Sequence, residues 1–170
     1  YLLEHEVKKM IFVTLGSQKF QFDRLLKEID RLCECGIIKE KVYAQTGESN
    51  YEPINYEYRK FMDRKEFQKY MDECETVITH GGTGAIITAI KKGKKVIAVP
   101  RLAKYGEHVD DHQIQIIRQF DEMNLIMPCY DVETIEKSLS KIKNHTFARY
   151  QSNTNTIIED LKKYLTECGL

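Results

Sequence analysis

Residues 76–99 read TVITHGGTGAIITAIKKGKKVIAV, and their pattern decides the fold. Thr76, Val77, Ile78 and Thr79 form a short β-branched run of the kind a parallel sheet buries on both faces. The run breaks at His80-Gly81-Gly82. Residues 83–92 read as a helix stopped by Gly93, and 95–99 (KVIAV) is a second buried strand ended by Pro100. Strand, helix and strand in this order predict a parallel pair joined by a crossover helix.

The same alternation extends in both directions. Upstream, the pattern predicts strands over 9–15, 41–45 and, more weakly, 56–62, with helices over 22–35 and 64–75. Downstream it predicts a loop over 101–107, a helix over 108–124, a strand over 125–127, and helices over 132–142 and 154–167. The expected fold is α/β, a parallel sheet with helices on both faces. Ligands of such folds bind outside the carboxyl ends of the strands, which singles out the loops at 16–21, 46–55, 62–64, 80–84 and 100–113.

Composition narrows the classes. At 170 residues the chain predicts a single domain over 10–170, with residues 1–9 read as an extension or remnant outside it. Lys plus Arg and Asp plus Glu both number 26, so a broad electrostatic grip on nucleic acid or an anionic membrane is not expected. No long apolar run is present to span a bilayer, and no secretory pattern opens the chain. The five cysteines lack CxxC pairing and fit reduced thiols in a cytoplasmic protein.

Three stretches can carry chemistry. His80, Gly81, Gly82, Thr83 and Gly84 stand between a strand and a helix start. There glycine lets a ligand approach the backbone, and the first amides of the helix lack partners. A diphosphate suits that environment, with Thr83 capping the helix or bonding an oxygen; an ordinary tight turn also accounts for the glycines. Gly16 and Ser17 end the first strand, where Ser17 can meet a phosphate or serve as a local cap. Residues 106–113 (GEHVDDHQ) are densely polar, as sugar recognition requires. His108 and His112 have the i, i+4 spacing of metal ligands, but no third ligand is evident and no metal is expected. Arg101 pairs with a phosphate or is solvated. A tyrosine-rich group (Tyr51, Tyr56, Tyr58 with Phe61) either faces a partner or packs in the core.

Taken in order, residues 12–30 (FVTLGSQKFQFDRLLKEID), 77–101 (VITHGGTGAIITAIKKGKKVIAVPR) and 106–113 resemble the C-terminal domain of glycosyltransferase family 28. The likeness covers roughly residues 10–130 and is strongest to short single-domain members, namely bacterial capsule and exopolysaccharide transferase subunits and a eukaryotic subunit of dolichol-linked oligosaccharide synthesis.

The resemblance implies a Rossmann-like, donor-binding half of a GT-B glycosyltransferase. Diphosphate contacts would fall on Gly16, Ser17, Gly82, Thr83 and Gly84, and the uracil contact on the loop containing Met62. Donor-sugar contacts would fall on Asp111, His112 and Gln113. The ribose-binding glutamate of many members is replaced here by Thr88. The resemblance further implies a UDP-sugar as substrate with no separate cofactor, and an inverting transfer of a hexose or N-acetylhexosamine to a polyprenyl-diphosphate-linked sugar. A membrane-anchored, acceptor-binding partner would hold this cytoplasmic chain at the membrane. His80 and Glu107 are the residues expected to move protons or stabilise charge. The alternative is a non-catalytic nucleotide-binding or assembly subunit.

Overall fold

All five residues of β1 (Met10–Thr14) are buried, and its alternating side chains seed two separate cores. The computed structural model describes residues 9–149 together with 159, 160, 162, 163 and 166. Ile11 and Val13 join Leu25, Leu26 and Ile29 of α1 (Asp23–Glu34) and Ile135, Leu139 and Ile142 of α5 (Ile135–Ile142). Met10 and Phe12 join the opposite layer: Met71 of α2 (Arg64–Glu73), Ile86 and Ile90 of α3 (Thr83–Lys91), and Ile117 and Phe120 of α4 (His112–Glu122). Phe12 meets Phe67 edge-on at 5.5 Å and stacks with Tyr70 at 5.9 Å. Burying one such side chain contributes ~1.5–3 kcal/mol, so the period-two pattern of β1 alone ties both helical layers to the sheet.

The strands are β1, β2 (Lys41–Gln45), β3 (Glu57–Arg59), β4 (Thr76–His80), β5 (Lys95–Val99) and β6 (Met127–Pro128). They form one sheet of six in the order β3-β2-β1-β4-β5-β6, every pair parallel. The chain walks from β1 to the β3 edge, returns to pair β4 with β1, and walks to the β6 edge. Thr14 and Thr79 are register partners. The connections after them depart in opposite directions, which opens a crevice at the carboxyl ends of β1 and β4.

Several boundaries differ from the sequence expectation. The third strand shortens to Glu57–Arg59. The last strand falls at Met127–Pro128, where Pro128 is tolerated because β6 is an edge and needs no donor on its outer side. The helix expected from 108 begins at His112. Before it, Ala103–Tyr105 forms a 3-10 turn, and Asp111 and Asp110 accept from the Ala103 and His112 amides. These side-chain bonds compete with helix formation over 108–111. The helix expected over 154–167 falls mostly outside the described residues.

The tyrosine-rich group packs inward. Tyr56 is buried and donates to Leu26 O at 2.9 Å. Asp30, buried on α1, accepts from Tyr51 Oη and from the amides of Ile54 and Asn55, which pins the 51–55 loop to the helix. Of this group Phe61 remains half exposed. The four described cysteines are free thiols; Cys168 lies outside the described residues.

Candidate functional site

The crevice at the β1/β4 switch has a volume of about 490 Å³ and is lined by Gly16, Ser17, Gln18, His80 to Ala85, His112, Gln113, Ile116, Lys162 and Thr166. It thus gathers the glycine-rich turn and the first-strand loop, as the topology requires. A second hollow, of about 340 Å³, lies at the amino-terminal edge of the sheet among Lys9, Glu40, Glu75 and Lys143, with no glycine loop.

Gly82 is the N-cap of α3 and no side chain caps the helix. The first intrahelical bond runs from Ile86 N–H to Gly82 O at 3.2 Å, so the amides of Thr83, Gly84 and Ala85 precede it without helical acceptors. The first turn contains no acidic side chain to offset the dipole. Thr83 is the first helical residue and not the cap, which corrects one of its two expected roles. A Cβ built at Gly84 meets nothing within 4 Å, so there is open space beside this residue. Gly16 holds φ +72° and presents its backbone to the same space, beside Ser17, whose hydroxyl caps no amide among the described residues.

His80 forms the floor. It is buried, and its ring is sandwiched where two side chains are missing. A Cβ at Gly82 would lie 2.2 Å from its Cε1, and one at Gly16 would lie 2.8 Å from its Nε2. These glycines therefore make room for an imidazole, a reason the sequence did not disclose. Burial, the Arg101 charge and His108 push the His80 pKa down to about 3, so the ring is neutral at physiological pH. Gln113 is buried beside it. Its Oε1 accepts from Gly81 N–H at 2.9 Å and Arg101 N–H at 3.0 Å, and its Nε2 lies 3.2 Å from His80 Nδ1. These contacts occupy its carbonyl oxygen with two backbone amides.

Two of the expected site residues, one catalytic and one donor-binding, are held within the scaffold. Glu107 is fully buried; its carboxylate grips Arg24 through bonds of 3.0 and 3.1 Å and accepts the Leu102 amide. The carboxylate expected to act in catalysis is thus held by an ion pair and a backbone amide. Arg101 is also buried. It donates to Leu15 O at 2.6 Å and to Phe20 O and Gln21 O at 3.0 Å, with its guanidinium over the Phe22 ring. Burial lowers its pKa to about 10 against the pull of Glu107, so it remains charged. It binds the loop after β1 to the loop after β5, and not a phosphate.

The other expected residues divide. His112 lines the crevice, its Nδ1 hydrogen-bonded to Asp110 Oδ1. That bond, the His112 amide and the nearby imidazoles hold the Asp110 carboxyl below its usual range against slight burial. His108 packs on Phe20, with Nδ1 3.5 Å from Asp110 Oδ1 and its pKa lowered by burial and by His112. Ligand atoms of His108, Asp110 and His112 lie within 4.8 Å of one another, a set able to face a divalent cation. Asp111 is exposed and spends one oxygen on the Ala103 amide. Met62 packs against the α2 side of the core, away from the crevice. Thr88 sits one turn beyond Gly84 and donates to Gly84 O at 2.8 Å. Sequence reading missed Arg24, the counter-ion of Glu107, and Lys162 and Thr166 on the crevice wall. Nothing local in the sequence signals those long-range placements.

The fold has known counterparts. CalG4, the calicheamicin glycosyltransferase, matches with TM-score 0.58 and 14% identity over 99% of this chain and 41% of its own. The glycotransferase of kitacinnamycin gives 0.62 and 13% over 97% and 41%, and Acinetobacter baumannii MurG 0.54 and 14% over 81% and 41%. The fold is thus the Rossmann-like C-terminal half of a GT-B glycosyltransferase. The UDP-N-acetylglucosamine transferase subunit ALG13 of Candida albicans is 27% identical over 90 residues, 53% of this chain and 29% of the relative. The subunit of the same name from Kluyveromyces lactis is 26% identical over 91 residues, 53% and 44%. The matches therefore span less than half the length of these curated relatives. The sequence profile of the glycosyltransferase family 28 C-terminal domain covers residues 10–167, and the chain belongs to that family.

Proposed function

We propose that this chain is the UDP-sugar-binding subunit of a split, inverting glycosyltransferase. It presents a hexose or N-acetylhexosamine to a sugar on a polyprenyl diphosphate, in capsule or exopolysaccharide synthesis. The acceptor and the general base come from a membrane-anchored partner subunit. The observation that carries the reading is the uncapped amino end of α3, whose Thr83, Gly84 and Ala85 amides open into the crevice between β1 and β4. Such amides suit the oxygens of a diphosphate and stabilise the charge that grows on UDP as it leaves. A further finding supports the division of labour. The depressed pKa of His80 makes its ring a poor base, and Glu107 is tied to Arg24, so neither suits the task of accepting the acceptor proton. No helix among the described residues is long and apolar enough to cross a membrane. The names of the ALG13 relatives favour an N-acetylglucosamine donor.

Isothermal titration with UDP-N-acetylglucosamine, UDP-glucose, UDP-galactose and UDP tests the reading. Binding of UDP and of one UDP-sugar, weakened by Gly84→Ala, is the expected result. Absence of heat with all four, alone and with the co-expressed partner, refutes it. Binding without any transfer in the reconstituted pair would instead establish the non-catalytic nucleotide-binding subunit.

A further inference from the structure

We propose that Gln113 is a positioning residue that fixes His80 as a hydrogen-bond donor, with the ring proton on Nε2 and directed toward the diphosphate subsite. The functional half of this inference rests on the crevice reading above; the proton assignment does not.

The amide of Gln113 is oriented by its backbone neighbours. Its outer atom faces two backbone N–H groups, those of Gly81 at 2.9 Å and Arg101 at 3.0 Å. A backbone N–H only donates, so that atom is the carbonyl oxygen. Flipping the amide would set an NH2 group against two donors in a buried site, a loss of two hydrogen bonds with nothing to replace them. The atom 3.2 Å from His80 Nδ1 is therefore nitrogen, which also only donates. Nδ1 must accept, and a neutral ring then carries its one proton on Nε2.

The surroundings keep the ring neutral. The charge facing it is the Arg101 guanidinium from the loop after β5, and His108 follows from the 106–111 segment. From α4 comes the uncharged Gln113 amide. The carboxylate of Glu107, the nearest candidate to offset Arg101, is engaged with Arg24. Nε2 itself has no acceptor among the described residues. It abuts the places where Gly16 and Gly82 lack side chains, 2.8 Å and 2.7 Å from the Cβ positions those residues would occupy. The two glycine loops thus frame one N–H at the crevice floor, beside the amides of α3. A neutral donor there can bond an anionic phosphate oxygen and remain bonded as UDP departs, without a proton being transferred.

The isosteric variant Gln113→Glu provides the test. A carboxylate still accepts from Gly81 and Arg101, but it offers His80 Nδ1 an acceptor, which draws the proton to Nδ1 and leaves a lone pair on Nε2. Nitrogen-15 NMR of the free wild-type protein should show a protonated Nε2 and an unprotonated Nδ1, and the variant should reverse them. Calorimetry with UDP-N-acetylglucosamine, whose diphosphate does not titrate near neutrality, should give the variant a roughly tenfold to hundredfold weaker affinity at pH 8. The deficit should shrink as pH falls, because the carboxylate raises the His80 pKa and an imidazolium donates from both nitrogens. A protonated Nδ1 in the wild type overturns the inference even if the variant does not fold. Equal affinities of a folded variant and the wild type at pH 8 overturn it too. Wild-type protein with the expected tautomer and no affinity for any UDP-sugar would refute the crevice reading and leave the proton assignment standing.

Discussion

Alanine at Gly82 and alanine at Gly84 are chemically the same change two residues apart, yet the structure gives them opposite consequences. At Gly82 the backbone (φ −78°, ψ 125°) suits any residue, so strain plays no part. The new methyl would lie 2.2 Å from His80 Cε1 and 2.7 Å from Nε2, where carbon atoms in contact sit about 3.5–4.0 Å apart. The imidazole is tethered at Nδ1 by Gln113, which is itself held by two amides, so moving aside breaks that bond. Overpacking of this kind costs ~1–3 kcal/mol, and breaking the His80–Gln113 bond about 1 more. For a domain of this size that lowers Tm by roughly 4–16 °C. At Gly84 a methyl meets nothing within 4 Å, and exchanging glycine for alanine inside a helix contributes about 1 kcal/mol. Tm should therefore rise by roughly 2–4 °C while the methyl screens the amide a phosphate would use. Differential scanning calorimetry and titration with UDP on the two variants check both halves. Gly82→Ala should lose stability and affinity together; Gly84→Ala should gain stability and lose affinity at least about tenfold. A Gly82→Ala protein with wild-type Tm, or a Gly84→Ala protein with wild-type affinity, would refute the packing argument or the amide argument respectively.

Two further outcomes follow from the buried charges. Glu107→Ala strands Arg24 and the Leu102 amide and should cost ~3–5 kcal/mol in urea unfolding, while the double variant with Arg24→Ala recovers part of it. Wild-type stability with transfer abolished would restore Glu107 as a catalytic residue. For Asp30, burial works to raise the pKa, but bonds from Tyr51, Ile54 and Asn55 outweigh it and hold the folded value below the usual 3.8. Its contribution is thus present above the unfolded pKa and fades as pH falls through the folded one. Asp30→Asn should be destabilised by ~2–3 kcal/mol at pH 7, a gap that narrows below about pH 4 in denaturant titrations at several pH values. A gap of constant size would show that the carboxylate charge is not what holds the 51–55 loop.

Much of the site's location was legible because it follows from local pattern. A buried-type strand ending in His80-Gly81-Gly82 and followed by a helical segment places uncapped amides at the end of β4, while the pairing of β1 beside it came from the sheet order. The 106–113 cluster was legible only as polar. Its function could not be read because the partners are far along the chain: Glu107 binds Arg24, Arg101 binds the carbonyls of Leu15, Phe20 and Gln21, and Gln113 binds Gly81. The tyrosines of 51–58 were ambiguous for the same reason, since Asp30 and Leu26 O, across a helix, decide which way they turn.

The sequence by itself determined the layered architecture, the strand that anchors both cores and the turn where an anion would meet backbone. Those depend on side-chain periodicity and on glycine, which act within a few residues. Only the tertiary structure decided which polar groups remain available to a ligand. A hydrogen-bonding group brought into a nearly water-free interior must find its complement there, whatever the distance along the chain. Here that requirement drew Glu107, Arg101 and the carbonyl of Gln113 into the scaffold and left His80 Nε2 and the first amides of α3 facing the crevice.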